Sequence, residues 1–177
     1  MAVILGNVAY FAEHAVGSRS TSQALQRIGG IRGGGHHCRP RDLVLPEDTV
    51  TFRTIRNHYD ALVSQYLKIT AKARPEFKDF LIKAGTRPYT WAWAPDMLWG
   101  RQRHVDVTLK YENLETELNA LLKEHDLLPE GEPIELPTIG AIAEKGNYRD
   151  YYDAESKALV KKYFGDEMEE YGYDWVD

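Results

Sequence analysis

Arg56 and Ser64 stand eight residues apart in TVTFRTIRNHYDALVSQYLKITAK, residues 49–72. A guanidinium can fork onto a phosphate with two parallel donors, and a serine hydroxyl adds another. The pair suits an anion if the chain brings both to one edge. A second hydroxyl-rich stretch, Gly17-Ser18-Arg19-Ser20-Thr21-Ser22, lies upstream. Backbone N–H groups and hydroxyls at the start of a helix form a cradle for negative charge, although the same residues also serve as an ordinary helix cap. His36 and His37 follow the run Gly33-Gly34-Gly35. An imidazole titrates near neutrality, which makes these two the candidate general bases, with exposed loop histidines as the plainer alternative. Adjacent positions in an extended segment point to opposite sides, so one of the two is expected to face a site. Trp91, Trp93 and Trp99 sit in RPYTWAWAPDMLWGRQR, residues 87–103. Their rings suit stacking on a sugar or an aromatic acceptor, and the flanking arginines suit an acidic one; a core plug or an oligomer contact is the competing use.

Hydrophobic periodicity says which elements carry these groups. Val50, Phe52 and Ile55 mark a strand, the chain turns at Arg56-Asn57-His58, and Tyr59, Leu62, Val63 and Tyr66 then repeat at helical spacing. Arg56 is thereby expected at the carboxyl end of a strand and Ser64 on the helix that follows. In open α/β sheets that edge is where ligands sit. The plainer alternative is a buried strand, Arg56 paired to a carboxylate and Ser64 facing solvent. Residues 2–12 read as a buried strand, followed by the hydroxyl loop and a helix through Gln23, Ala24, Leu25 and Ile28 that stops at Gly29-Gly30. Pro75 opens a short helix through Phe77, Phe80 and Leu81. Residues 104–110 alternate as a strand, and Leu114, Leu118, Leu121 and Leu122 line one helix face. Residues 126–140 read as a surface loop rich in Pro, Glu and Gly, and Leu159, Val160, Tyr163, Phe164 and Met168 as the stripe of a final helix. The expected architecture is one α/β domain over residues 1–177, a parallel sheet flanked by helices.

A chain of 177 residues can bury a sizeable core. Its net charge of −5 argues against general nucleic-acid binding, yet residues 1–56 carry +3 and residues 57–177 carry −8. A basic front half on an acidic chain suits a local anionic ligand better than a long polyanion. Cys38 is the lone cysteine, which excludes an internal disulfide framework and allows a reducing, cytoplasmic setting. No apolar run approaches the ~20 residues of a membrane span, and MAVILGNVAYFA lacks the basic start of a signal peptide. The histidine pair has no carboxylate or third histidine at ligand spacing, so no metal is expected there. The Walker A pattern G-x-x-x-x-G-K-[ST] is absent.

Four of these segments, in order, resemble the PAPS-dependent sulfotransferases, whose sulfuryl donor is 3′-phosphoadenosine-5′-phosphosulfate. TFRTIRNHYDALVSQYLKI is similar to the family's 3′-phosphate segment, worded R-x-P-Y-D-x-x-V-S-x-Y; Arg56, Tyr59, Asp60, Val63, Ser64 and Tyr66 fit, with His58 where proline is usual. Gly17 to Ser22 resemble the second half of the 5′-phosphosulfate loop, P-K-T-G-G-T-S. The family's lysine is missing, with Ala15 or Gly17 in its place, which leaves Arg19, or less directly His14, to supply the charge. His36 and His37 both match the family's G-H-H-x-x wording, and His37 is favoured as base. V-T-L-K-Y-E-N-L and the tail Y-R-D-Y-Y-D resemble two further landmarks, and Lys145-Gly146 sits where the family has R-K-G. The resemblance implies a compact sulfotransferase with a P-loop-type three-layer fold, binding PAPS and releasing PAP without a metal. It implies that Arg56 and Ser64 hold the 3′-phosphate with Lys145, Arg149 or both completing that site, that Gly17, Ser18, Arg19, Ser20, Thr21 and Ser22 hold the phosphosulfate, and that the acceptor is a small molecule or carbohydrate with a hydroxyl or amine. Without it, Lys145 and Arg149 read as ordinary surface charges. Two alternatives stand beside it: a non-catalytic PAP- or nucleotide-binding protein of the same descent, and a P-loop nucleotide kinase.

Overall fold

A computed structural model describes residues 1–12, 16–34, 38, 40–86, 105–142 and 145–175. Their contacts group into two compact units, Met1–Ile55 with Trp99–Gly140, and Arg56–Leu98 with Ala141–Asp177. Among the described residues, no helix is long and apolar enough to cross a membrane.

The first unit is an α/β unit around a five-stranded sheet. Its strands are β1 (Ala2–Leu5), β2 (Val8–Phe11), β3 (Ile31–Gly33), β4 (Val50–Ile55) and β5 (Val107–Lys110), in the order β3-β1-β2-β4-β5. β2, β4 and β5 run parallel, while β1 pairs antiparallel with both β2 and β3, so the sheet is mixed rather than wholly parallel. The difference arises at Gly6-Asn7. Residues 2–12 read as one apolar, β-prone strand, but Gly6 takes a φ of 54° that a side chain disfavours, and the chain folds back as a hairpin with Leu5 opposite Val8.

This register puts Val3, Leu5, Val8, Tyr10, Phe52 and Leu109 in one core. Leu25 of α1 (Ser18–Arg27) and Leu114, Leu118, Leu121 and Leu122 of α4 (Leu114–Glu124) join it. Those four leucines recur at the 3.6-residue period expected of a helix face, and burying each contributes about 1.5–3 kcal/mol. Ala2, Ala9, Phe11 and Cys38 form a second cluster, against which Leu43, Leu45 and Val105 pack. The loop after α4 is pinned at both ends of one side chain: Asn119 Oδ1 accepts from Ile134 N at 2.7 Å and its Nδ2 donates to Ile134 O at 2.9 Å.

The second unit is helical, with α2 (His58–Lys68), α3 (Phe77–Thr86) and α5 (Ala154–Glu170). Asn57 starts α2 by accepting from Tyr59 N at 3.0 Å. Asp153 and Ser156 form a reciprocal capping box at the start of α5. Gly85 of α3 faces the Tyr163 ring so closely that a Cβ there would collide with it. The buried stripe of α5 is Ser156, Val160, Phe164, Glu167 and Met168, while Leu159 and Tyr163 are only partly buried. A carboxylate has entered the stripe because α2 supplies it a partner: His58 Nε2 donates to Glu167 Oε2 at 3.3 Å, and the imidazole packs on Phe164 with centroids 5.4 Å apart.

Candidate functional site

β4 ends at Ile55, so Arg56 is the first residue beyond the carboxyl end of a parallel strand, as its spacing predicts. One helical turn later comes Asp60, and the i, i+4 geometry lets the two side chains meet. Arg56 Nε donates to Asp60 Oδ2 at 2.6 Å, and Nη2 bonds the same oxygen. The other carboxylate oxygen, Oδ1, accepts from Lys145 Nζ, 85 residues away in sequence. The three side chains are only 12%, 18% and 15% exposed for Arg56, Asp60 and Lys145. Lys145 is therefore no ordinary surface charge: the chain returns after α4 to set it beside the first turn of α2. Burial, opposed by the Asp60 hydrogen bond and reinforced by the Arg56 charge, lowers the Lys145 ammonium below the usual lysine value.

Ser64 lies one turn further along α2, buried rather than facing solvent, and its Oγ donates to the Asp60 carbonyl at 3.0 Å. A serine in mid-helix commonly bonds back to the i−4 carbonyl, and its lone pairs still accept. Arg149 sits in the 3₁₀ turn Tyr148–Tyr151, with its guanidinium 5.3 Å from the centre of the Tyr148 ring. Tyr59, next to Asp60, is packed edge-on by Tyr152 and Trp175, with centroids at 5.1 and 4.9 Å. Tyr152 also donates its hydroxyl to the Tyr59 carbonyl at 2.9 Å. Desolvation drives the Tyr152 phenol well above its ordinary pKa, so it stays a neutral donor. These contacts hold the first turn of α2 in place under the ion cluster.

In the first unit, Gly17 opens α1 in the left-handed region, φ 78°, with no side chain to cap the first-turn amides. That turn carries no acidic residue. A helix start whose N-cap carries no side chain and whose first turn carries no carboxylate presents a positive dipole end that favours an anion. A Cβ at Gly17 would lie 3.0 Å from Leu114 Cδ2 and 3.1 Å from the Tyr111 ring. The Tyr111-Glu112-Asn113-Leu114 landmark thus packs directly on the loop's glycine. Thr21 Oγ1 donates to the Gly17 carbonyl at 3.2 Å, while Ser22 Oγ is buried with no hydrogen-bond partner among the described residues. Ser18 and Ser20 are partly buried, Arg19 is exposed, and the Arg19 guanidinium lies against the backbone of Gly140. His14, His36, His37, Trp91, Trp93 and Trp99 lie outside the described residues.

The structure thus gathers Arg56, Ser64 and Lys145 around Asp60, and Gly17, Ser18, Ser20, Thr21 and Ser22 at the start of α1. Asp60 is the carboxylate that the plainer reading of Arg56 left unnamed, and its i+4 spacing from Arg56 was the available signal. Arg53 was also missed. It is 1% exposed in β4, with Nε donating to Thr108 Oγ1 across the parallel pair at 3.3 Å, and β-alternation alone gives a buried arginine no signature. Compared with family models, curated proteins and solved structures, the chain finds no match.

Proposed function

We propose that this chain is a PAPS-dependent sulfotransferase, moving a sulfuryl group to a hydroxyl or amine of a sugar or small aromatic acceptor. The observation that carries the reading is the meeting of Arg56 and Lys145 on one carboxylate. The family resemblance assigns both residues to the 3′-phosphate although they are 89 residues apart, and two cations that share one carboxylate are spaced to share a phosphate. The uncapped start of α1 supports the other half of the reading, since its amides suit a phosphosulfate.

When bound, PAPS supplies an activated sulfuryl group with a phosphate as leaving group. The chain's own residues then have four tasks. Arg56 and Lys145 hold the 3′-phosphate, with Ser64 adding a hydroxyl, and so fix the donor's position. The Gly17–Ser22 amides and hydroxyls, with Arg19, balance the negative charge that builds on the leaving oxygens. His37, or His36, takes the proton from the acceptor as it attacks. Trp91, Trp93 and Trp99 stack on the acceptor. The fold that goes with this proposal is the sulfotransferase variant of the P-loop-type three-layer arrangement.

A second reading keeps the donor site and drops the chemistry. The missing loop lysine favours it, and in that case the protein binds PAP without turnover. Incubating the protein with radiolabelled PAPS and a panel of phenols, amines and glycans separates the two. Transfer of label to an acceptor supports the enzyme; PAP binding with no labelled acceptor favours the non-catalytic protein. Tight ATP binding with PAP ignored would overturn both in favour of a nucleotide kinase.

A further inference from the structure

Lys145 reaches Asp60 from a segment that its own backbone bonds make compact. Lys145 N donates to the Ile142 carbonyl at 3.1 Å, and Gly146 turns the chain at φ 57°. Asn147 then caps the turn Tyr148–Tyr151 by accepting from Arg149 N at 3.1 Å, and Tyr152 N closes it on the Arg149 carbonyl at 3.1 Å. Tyr152 joins this piece to α2. Its hydroxyl donates at 2.9 Å to the carbonyl of Tyr59, which stands between Arg56 and Asp60 in sequence. A carbonyl has two lone pairs, so this bond adds to the helix without competing with it. The Tyr152 ring packs against Tyr59, Phe77 and Trp175, with centroids at 5.1, 5.0 and 5.5 Å. A phenylalanine would keep those ring contacts, so packing alone gives no reason for the hydroxyl. Its hydrogen bond to Tyr59 does.

We propose that Tyr152 is a positioning residue for the anion site: its hold on the Tyr59 carbonyl sets the segment bearing Lys145 against the first turn of α2, and with it the spacing of Lys145 and Arg56. The inference rests on the reading that these two cations hold a phosphate, and it adds what sets them for it. A lysine ammonium rides on a flexible four-carbon stem and keeps its place only when its backbone does. Lys145 is bonded to Asp60, and Tyr152, seven residues further along the same segment, to the neighbouring Tyr59. Two attachments to adjacent residues of α2 fix the segment on the helix, where the ammonium alone would let it pivot about its stem. Cations already set at one spacing lose less freedom on binding than cations that must be gathered. Tyr152 thus serves the ligand without touching it. The opposing possibility is that the hydroxyl adds stability and nothing else. The two differ in where its loss is felt: at Lys145 and in the affinity of the folded protein, or in the melting temperature alone.

The test compares the wild-type chain with Tyr152→Phe in two measurements. The first is the rate at which acetic anhydride acetylates each lysine of the ligand-free chain, read by mass spectrometry well below the melting temperature. The second is calorimetric titration with PAP. Loss of one hydrogen bond of this kind changes an equilibrium by ~2–10-fold, so Tyr152→Phe should be acetylated at Lys145 ~2–10-fold faster and bind PAP ~2–10-fold more weakly. The rate at Lys78, ion-paired to Asp153 and Glu155 in the same unit, should stay as it is. An unchanged rate at Lys145 overturns the inference, and leaves the donor reading intact if the wild type binds PAP. A faster Lys145 with unchanged PAP affinity overturns it too, as does a rise at Lys78 as large as that at Lys145, the mark of general loosening. No binding of PAP by the wild type sinks the donor reading and the inference with it. A Tyr152→Phe chain that does not fold also overturns the inference, because the hydroxyl is then a requirement of the fold and not of the site.

Discussion

Asp60 shows how one side chain decides the character of a site. Its carboxylate binds Arg56 through one oxygen and Lys145 through the other, with all three side chains less than a fifth exposed. An i, i+4 Arg–Asp pair on a helix surface is worth only a few tenths of a kcal/mol, but here a third charge arrives from a distant segment and the group is shielded from water. At the same scale, the proposed chemistry depends on an imidazole. His37→Ala is expected to lower turnover by ~10²–10⁴-fold while leaving PAP affinity unchanged, the usual range for a lost general base. Steady-state rates with PAPS and any accepted acceptor, together with PAP titration, check this. A full-rate variant moves the role to His36 or removes it.

At the scale of elements, two contacts make separate demands on stability. The His58–Glu167 pair ties α2 to α5 inside the second unit, with side chains 2% and 11% exposed. Glu167→Ala leaves a buried imidazole without this partner and a space beside Phe164, and should cost about 2–4 kcal/mol in urea denaturation. Glu167→Gln, which can still accept, should cost less. A loss below about 0.5 kcal/mol for the alanine variant would show that the pair contributes little.

In the first unit, Asp106 Oδ2 accepts from the Thr51 hydroxyl and amide, both at 2.7 Å, just where β4 and β5 begin to pair. The Thr51 hydroxyl first, and its amide second, hold the Asp106 carboxyl below its ordinary range. A carboxyl lowered in the folded state adds stability above its unfolded pKa of about 3.9 and loses it as pH falls through the lower folded value. The Tm advantage of wild type over Asp106→Asn should therefore be present at pH 7 and shrink below about pH 4. An unchanged gap at pH 3 would contradict this.

These elements were unevenly legible in the sequence. The leucines of α4, the strand Val50–Ile55 and the Gly29 stop of α1 were readable because apolar period and glycine report burial and chain reversal directly. The hairpin was not, since two short apolar strands look like one longer strand until Gly6 is weighed as a turn. Glu167 escaped because a polar residue in an apolar stripe reads as an interruption, and only its partner on another helix explains it. Of the candidate site, Arg56 at the strand end was readable from local pattern. The meeting with Lys145 is a long-range contact that no local periodicity reports.

At the scale of the whole molecule, the charge is divided in sequence, +3 over residues 1–56 and −8 over the remainder of a chain of net −5. Arg56 is the last residue of the basic stretch, and Lys145 lies within the acidic one. Each compact unit holds one set of anion-suited groups: the uncapped start of α1 in the first and the Asp60 cluster in the second. The most direct measurement is a calorimetric titration of the wild-type chain, Arg56→Ala and Lys145→Ala with PAP. The account predicts saturable binding by the wild type and a loss of roughly 2–4 kcal/mol for Arg56→Ala, with a loss of the same sign for Lys145→Ala. Wild-type protein that does not bind PAP, or an Arg56→Ala variant that binds it as tightly, would contradict it.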